Sequence, residues 1–308
     1  MTLAVLCPGQ GAQHPALFDQ VDEHVEGTRM IDDAAQALGD DPRDWLKQGD
    51  AIYRNAIAQP LICTAQLAQW ATLRSQLQRP TALAGYSVGE LACYGVSGAL
   101  DIGELVRLAR TRALAMDAAA ASNPGGLIGV RGLSRPALHC LCEENQAFIA
   151  ITTADDAFVV GGSDAVLVRM RQRCESAGAK VTDLRVGIAS HTPLLDGATE
   201  QFRIALERST LTAPPISVIA SIDAGLVTTR ERGIATLSSQ ISHTVEWVQC
   251  LDALHERGCR VFLELGPGRA LSRMLRDRFD DVEARAVDEF RDSAGVVRWV
   301  QRKMSELG

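Results

Sequence analysis

Aromatic residues are scarce, at 5% of a 308-residue chain. No apolar run approaches the roughly 18 to 20 residues that a membrane-crossing helix needs, so a spanning segment and a membrane partner are not expected. The start, Met1-Thr-Leu-Ala-Val-Leu-Cys7, lacks a basic leader and a signal-length apolar stretch, and it reads as a first buried strand. An excess of positive charge is also missing. The net charge of −7 argues against a nucleic-acid partner. Eight cysteines are present but scattered without a framework, and Cys140-Leu-Cys142 is not a zinc spacing. Reduced thiols, a cytoplasmic location and no metal site are the expectation. What remains is ordinary for a soluble globular protein: 46% hydrophobic and 22% charged residues. The length suffices for a sizeable core and for more than one domain.

One stretch organises the rest. A short apolar run, Thr81-Ala-Leu-Ala, leads into Gly85-Tyr86-Ser87-Val88-Gly89-Glu90, and a helix-compatible apolar run follows. This is a Gly-x-Ser-x-Gly pattern between a strand and a helix. The serine of such a turn sits on strained backbone, and glycines two before and two after remove side chains that would clash. The turn exposes Ser87 Oγ at the strand end and aims the Val88 N–H at any negative charge that develops there. An ordinary strand–helix turn that happens to hold glycines is the plainer alternative.

Around this stretch the chain reads as alternating elements. Pro8-Gly9-Gln10-Gly11-Ala12-Gln13 follows the first strand as a tight loop, which can bring backbone and an amide side chain to a ligand or be a plain turn. Residues 14–58 read as helical and polar in patches. Gln59-Pro60 is expected to open a helix, with Pro60 in its first turn, that runs through Leu61, Ala65, Ala68 and Leu73. Asp101-Ile102 begins a helix to about Ala121 with an apolar face at Leu105, Ala109, Ala113 and Met116. Arg112 falls inside that stripe, while Arg107 and Arg110 point away. An arginine on a core-facing stripe keeps its charge and needs an anion, either an internal carboxylate or a ligand.

After Ser122-Asn-Pro-Gly-Gly126 the pattern changes. Leu127–Val130 reads as a strand, and Ser134-Arg-Pro136 caps a helix to about Asn145. Ala147–Thr152 and Phe158–Val160 read as strands, and Ser163-Asp164 caps a helix to about Ala177. Lys180–Leu184 reads as a last strand. The order β-α-β-β-α-β marks a ferredoxin-like unit. The expected class is therefore α/β: an α/β-hydrolase-like large domain with a parallel sheet, residues 1–121 and 188–308, interrupted by a ferredoxin-like small domain, residues 122–187. Re-entry comes at Ile188-Ala-Ser190-His191-Thr192-Pro193, just before a helix to about Arg208. His191 there is placed as a usable general base, although surface and capping histidines are common. Ile216–Ile219 reads as a strand, Trp247 and Leu251 lie on a helix, and Arg260–Leu265 is a strand ending in Gly266-Pro267-Gly268. Arg269, Arg273, Arg276 and Arg278 then form a basic run, usually a solvated face, that could also meet phosphates or an acidic partner.

Taken together these segments resemble the malonyl-CoA:acyl carrier protein transacylase family. The resemblance rests on Pro8–Gln13, Gly85–Glu90, Arg112, Ser190-His191, Gln240 ahead of Val245 and Trp247, and Gly266-Pro267-Gly268, all in the family's order across nearly the whole chain. Two departures, Tyr86 where the family usually has histidine and His243-Thr244 where it commonly has Asn-Pro, make the sequence look more like the transacylase subunit of malonate decarboxylase than the enzyme of fatty-acid synthesis.

The resemblance implies a ping-pong acyl transfer. Ser87 is the implied nucleophile, His191 its base, and the Val88 and Gln10 N–H groups the oxyanion hole. Gln240 is the position that orients the histidine through a backbone carbonyl, and Arg112 binds the free malonyl carboxylate. No permanently bound cofactor is implied. Malonyl-CoA is the implied donor, and the implied partner is an acyl-carrier protein bearing a CoA-derived prosthetic group, in a malonate decarboxylase complex or in fatty-acid synthesis. A serine hydrolase would use the same pair with water, but Arg112 has no general role there. A non-catalytic interaction subunit would not need Ser87 and His191 intact.

Overall fold

The computed structural model describes residues 2–21, 23–184 and 186–307; Met1, expected in the first strand, lies outside them. Ten strands are described: β1 (Thr2–Cys7), β2 (Ala82–Gly85), β3 (Gly126–Arg131), β4 (Phe148–Ala154), β5 (Ala157–Gly162), β6 (Lys180–Asp183), β7 (Ser217–Ile219), β8 (Leu226–Val227), β9 (Cys259–Glu264) and β10 (Glu283–Ala286). They form two sheets, a six-stranded one in the order β10-β9-β1-β2-β7-β8 and a four-stranded one in the order β4-β5-β3-β6. The protein is a mixed α/β chain, as its sequence pattern implied.

The large sheet is parallel from β10 to β7, and only β8 runs antiparallel, on β7. A parallel sheet covered on both faces needs strands apolar on both faces, and β1 supplies this. Its Leu3, Val5 and Cys7 enter one hydrophobic core, and its Ala4 and Leu6 enter the other. Strands β2 and β9 divide the same way, with Leu83, Val261 and Leu263 on the first side and Ala84 and Phe262 on the second. Helices on both faces close the three layers. The carboxyl ends of β1 and β2 lie side by side, with Cys7 in register with Gly85. Ligands bind at such ends in open α/β sheets.

The small sheet is antiparallel throughout. Its strand order, counted from its own first strand, is 2-3-1-4, the ferredoxin-like arrangement of a βαββαβ unit. One face carries Ile128, Val130, Phe158 and Val160 against Leu138, Met170 and Cys174 of its two helices. The other face sends Leu127, Ala150, Ile151 and Val159 into the second core of the large sheet, beside Val245 and Trp247. A backbone seam joins the two bodies: Thr152 N donates to Val245 O at 2.9 Å and Val245 N to Ala150 O at 2.9 Å. Arg135 and Glu246 add a two-pronged ion pair across it.

Several local expectations need correction. The helix expected to open at Gln59-Pro60 begins at Asn55 and runs to Leu73, with Pro60 inside it. A proline costs a helix one N–H and crowds the preceding turn, but nearly every residue of this helix is buried, and its packing outweighs that cost. Ser163 precedes the helix Asp164–Ser176 without a side-chain cap bond, whereas Ser134 Oγ does accept from Ala137 N. Of the basic run, Arg278 pairs with Asp252 and Asp155 and Arg276 lies near Glu289. Arg269 and Arg273 are exposed. No helix among the described residues is long and apolar enough to cross a membrane.

Candidate active site

Ser87 follows β2 and precedes the helix Val88–Ser97 with φ 56° and ψ −122°. That region is costly for a residue with a side chain, and the surroundings enforce it. A Cβ on Gly85 would lie 2.1 Å from Glu90 N, and one on Gly89 would lie 1.9 Å from the Cys7 carbonyl oxygen. Both glycines are therefore obligatory: the turn is pressed onto its own helix and onto the end of β1. Gly9 closes the other side, since its Cβ would fall 2.8 Å from the Tyr86 carbonyl oxygen. The Pro8–Gln13 loop is thus held against the turn. Gln66 Nε2 fixes it from below by donating to Pro8 O at 2.7 Å, and Gln13 Nε2 by donating to Ile52 O at 2.9 Å. The backbone N–H groups of Gln10 and Val88 donate to no group among the described residues.

His191 reaches this turn from the re-entry segment, at φ 63° and with its N–H donating to Ile241 O at 2.8 Å. Its Nε2 lies 2.8 Å from Ser87 Oγ and its Nδ1 lies 2.6 Å from the Gln240 backbone carbonyl. A carbonyl oxygen only accepts, so Nδ1 carries the proton and Nε2 offers its lone pair to the serine hydroxyl. Burial, and then the positive charge of Arg112, push the His191 pKa down to about 3, against the Gln240 bond that works to raise it. The imidazole is neutral at physiological pH.

Arg112 is 1% exposed on the helix Ile102–Ser122. The sequence left open whether an internal carboxylate meets it. The bonds it makes are to amides: Nη1 donates to Gln59 Oε1 at 2.8 Å and Nη2 to Gln240 Oε1 at 2.9 Å. Burial draws its pKa down to about 10. Gln240 ties the two halves of the site together. Its backbone holds His191, its amide oxygen holds Arg112, and its Nε2 donates to Glu90 Oε2 at 2.7 Å and Ser221 Oγ at 2.9 Å. Glu90 is wholly buried, its carboxyl is pushed up by that burial, and its Oε2 also accepts from Ser221 N at 2.9 Å.

The structure thus brings Ser87, His191, Gln240 and Arg112 into one hydrogen-bonded cluster beside the Gln10 loop and Val88. Glu90 and Gln59 were missed as site residues. Residue type alone does not single out Gln59, because its helix also holds Asn55, Thr64, Gln66, Gln69 and Thr72. Tyr86 stacks edge-on to Trp247 with ring centroids 5.5 Å apart. Thr244 Oγ1 donates to Ile149 O at 2.7 Å on the small sheet. An open cleft of about 690 Å³ between the two bodies reaches His191 past His243, Thr244 and Phe148.

A parallel sheet wrapped by helices, a strained serine turn at its carboxyl edge and an inserted ferredoxin-like unit define a two-domain α/β class. Within that class the chain belongs to the acyl transferase domain family, whose model matches residues 5–302. Among curated relatives, the malonyl CoA-acyl carrier protein transacylase of Haemophilus influenzae is 27% identical over 296 residues, covering 93% of this chain and 95% of its own. Among solved structures, the malonyl-CoA:acyl carrier protein transacylase of Xanthomonas oryzae superposes with a TM-score of 0.91 at 29% identity, over 96% of this chain and 98% of that one. The fold is also shared, with a TM-score of 0.92 at 23% identity over 98% and 100% of the two chains, by a malonyl-transacylase solved in complex with a type II polyketide synthase acyl-carrier protein. The resemblance read from the motifs holds at the level of the family.

Proposed function

We propose that the protein moves malonyl from malonyl-CoA to the thiol of an acyl-carrier protein through a malonyl-Ser87 intermediate. The observation that carries this reading is Arg112. A guanidinium has five N–H donors, and the two bonds to Gln59 and Gln240 leave the rest for another partner. A charge buried without a paired anion is costly, and a malonyl carboxylate is the anion that an acyl-transfer site would bring. The names of the relatives agree with it.

In the proposed mechanism His191 Nε2 takes the Ser87 proton as Oγ attacks the thioester carbonyl. The Val88 and Gln10 N–H groups hold the oxyanion, each contributing about 3–4 kcal/mol to the transition state. The C–S bond breaks, and His191 returns the proton to the departing CoA sulfur. A carrier thiol then gives its proton to His191 and attacks the malonyl ester, and Ser87 is regenerated with that proton. The Gln240 carbonyl keeps the imidazole in its Nδ1–H tautomer, so no carboxylate is needed behind the histidine. No bound cofactor or metal takes part. The working division is residues 1–121 with 188–308 for the catalytic body and 122–187 for the small domain, in a cytoplasmic protein.

For the partner, we propose the acyl-carrier subunit of a malonate decarboxylase, with its CoA-derived prosthetic group. Tyr86 and His243-Thr244, which line or border the site, support that choice over a fatty-acid-synthesis carrier, and exposed Arg269 and Arg273 offer local positive charge to an acidic carrier. The test is competition: malonyl-enzyme is offered both carriers at equal concentration. Preferential discharge to the decarboxylase carrier is expected. Preferential transfer to the fatty-acid carrier moves the protein to the fatty-acid pathway, and discharge to water faster than to either makes it a hydrolase.

A further inference from the structure

Arg112 stands at the meeting of two directed hydrogen-bond chains, and each begins at a carboxylate. On one side Asp117 Oδ1 accepts from Asn55 Nδ2 at 3.1 Å, and the Ala113 carbonyl accepts from the same nitrogen at 3.1 Å. Both partners are acceptors only, so Asn55 must turn its nitrogen to them and its Oδ1 away. That oxygen accepts from Gln59 Nε2 at 2.6 Å. Gln59 in turn has only its Oε1 left to present, and Oε1 accepts from Arg112 Nη1 at 2.8 Å. On the other side Glu90 takes the nitrogen of Gln240, whose Oε1 is left for Arg112 Nη2. Either amide turned over would aim an NH2 group at a guanidinium, donor against donor. The two chains fix the direction of both amides, and the result is a cation held by neutral oxygens instead of by a contacting carboxylate.

We propose that Gln59, held by Asn55, is a positioning residue for the selection of a carboxylated acyl group, because it holds Arg112 in place without neutralising it. This rests on the malonyl reading of Arg112. A carboxylate in place of the Gln59 amide would pair with Arg112 and occupy the charge the acyl group needs. An apolar side chain would free Nη1 from its anchor. Asn55 is a positioning residue one step further out, since it decides which end of the amide faces the arginine. Gln59 is 1% exposed and therefore acts through Arg112 and not as a surface contact.

The experiment measures kcat and KM for malonyl-CoA and acetyl-CoA with the full chain carrying Gln59→Leu or Gln59→Glu, and thermal melting is followed in parallel. For Gln59→Leu, KM for malonyl-CoA is expected to rise about 10- to 100-fold, the range for losing one charge-assisted hydrogen bond, with kcat and the acetyl-CoA constants within about twofold. A loss confined to KM marks binding shared by ground and transition states. Gln59→Glu, nearly isosteric, is expected to lose at least as much malonyl-CoA use while keeping acetyl transfer, and it carries the test if the leucine variant melts without cooperativity. Equal losses for both donors, or an unchanged malonyl-to-acetyl ratio in a folded variant, would overturn the proposal. A wild-type protein that takes no malonyl group at all would instead overturn the reading of Arg112 on which it rests.

Discussion

Replacing Arg112 with methionine keeps the apolar stem packed on its helix and removes the charge. The loss of that charge has two consequences. The first is selectivity. Removing one partner of a desolvated ion pair costs about 3–5 kcal/mol, and at about 1.4 kcal/mol per decade this is two to three and a half decades. Arg112→Met should therefore lose on the order of a hundredfold or more in kcat/KM for malonyl-CoA, while acetyl-CoA, which brings no carboxylate, is spared. The second concerns His191, the proposed base. His191 is held near pKa 3 by burial first and by Arg112 second. Taking the cation away removes the second cause, so the pKa rises while burial keeps it below its ordinary value. Only the neutral imidazole accepts the serine proton, so the acylation rate is full above the pKa and falls as pH drops through it. Acetyl-CoA is the donor for this measurement because it does not itself titrate there. The acid limb of Ser87 acetylation should move to higher pH in Arg112→Met. A malonyl carboxylate seated on Arg112 would act in the same direction, so malonyl-CoA would strengthen the proposed base as it binds. The assay is single-turnover CoA release across pH with both donors. A malonyl-to-acetyl ratio equal to wild type would remove Arg112 as the group that selects the donor, and an acid limb that does not move would remove it as a group that lowers the His191 pKa.

Stability should also carry the mark of His191. Its folded pKa lies below the ordinary 6.5, so its contribution is complete above pH 6.5 and declines as pH falls toward 3, because only the unfolded chain binds the proton. Unfolding free energies from urea titrations between pH 7.5 and 5 should fall more steeply for wild type than for His191→Gln, by up to about 1.4 kcal/mol per pH unit, and parallel slopes would count against a buried neutral histidine. The glycines of the serine turn give a third expectation. Gly89→Ala puts a methyl 1.9 Å from the Cys7 carbonyl and should abolish cooperative folding or lower Tm severely, whereas Gly187→Ala meets nothing within 4 Å and should leave Tm within a few degrees.

Much of the candidate site was legible because the residues it brings together are unusual types set in plain patterns. Glycines flanking Ser87 after an apolar run, and an arginine inside an alanine-rich apolar stripe, both stand out by residue type alone. The order of elements around the small sheet was equally legible, because turn or capping residue types separate them. The parts that escaped are short or polar. Strand β8 has two residues, and β10 reads Glu-Ala-Arg-Ala, with charged residues alternating with alanine on an edge. Neither has the apolar run by which a buried strand is recognised. The helix Arg230–Ser239 opens on three charged or polar residues and packs only part of its length; it matters because Gln240 caps it. Gln59 and Glu90 escaped for another reason. Their importance lies in which way an amide or a carboxylate faces, and a linear pattern does not carry direction.

Ser87 is the residue expected to take the acyl group. Wild type and Ser87→Ala are mixed with malonyl-CoA in the absence of any acceptor, and intact masses are recorded. Wild type is expected to gain one malonyl group, the gain to map to the peptide containing Ser87, and the alanine variant to stay at its own mass. Equal gain in both proteins would remove Ser87 as the nucleophile.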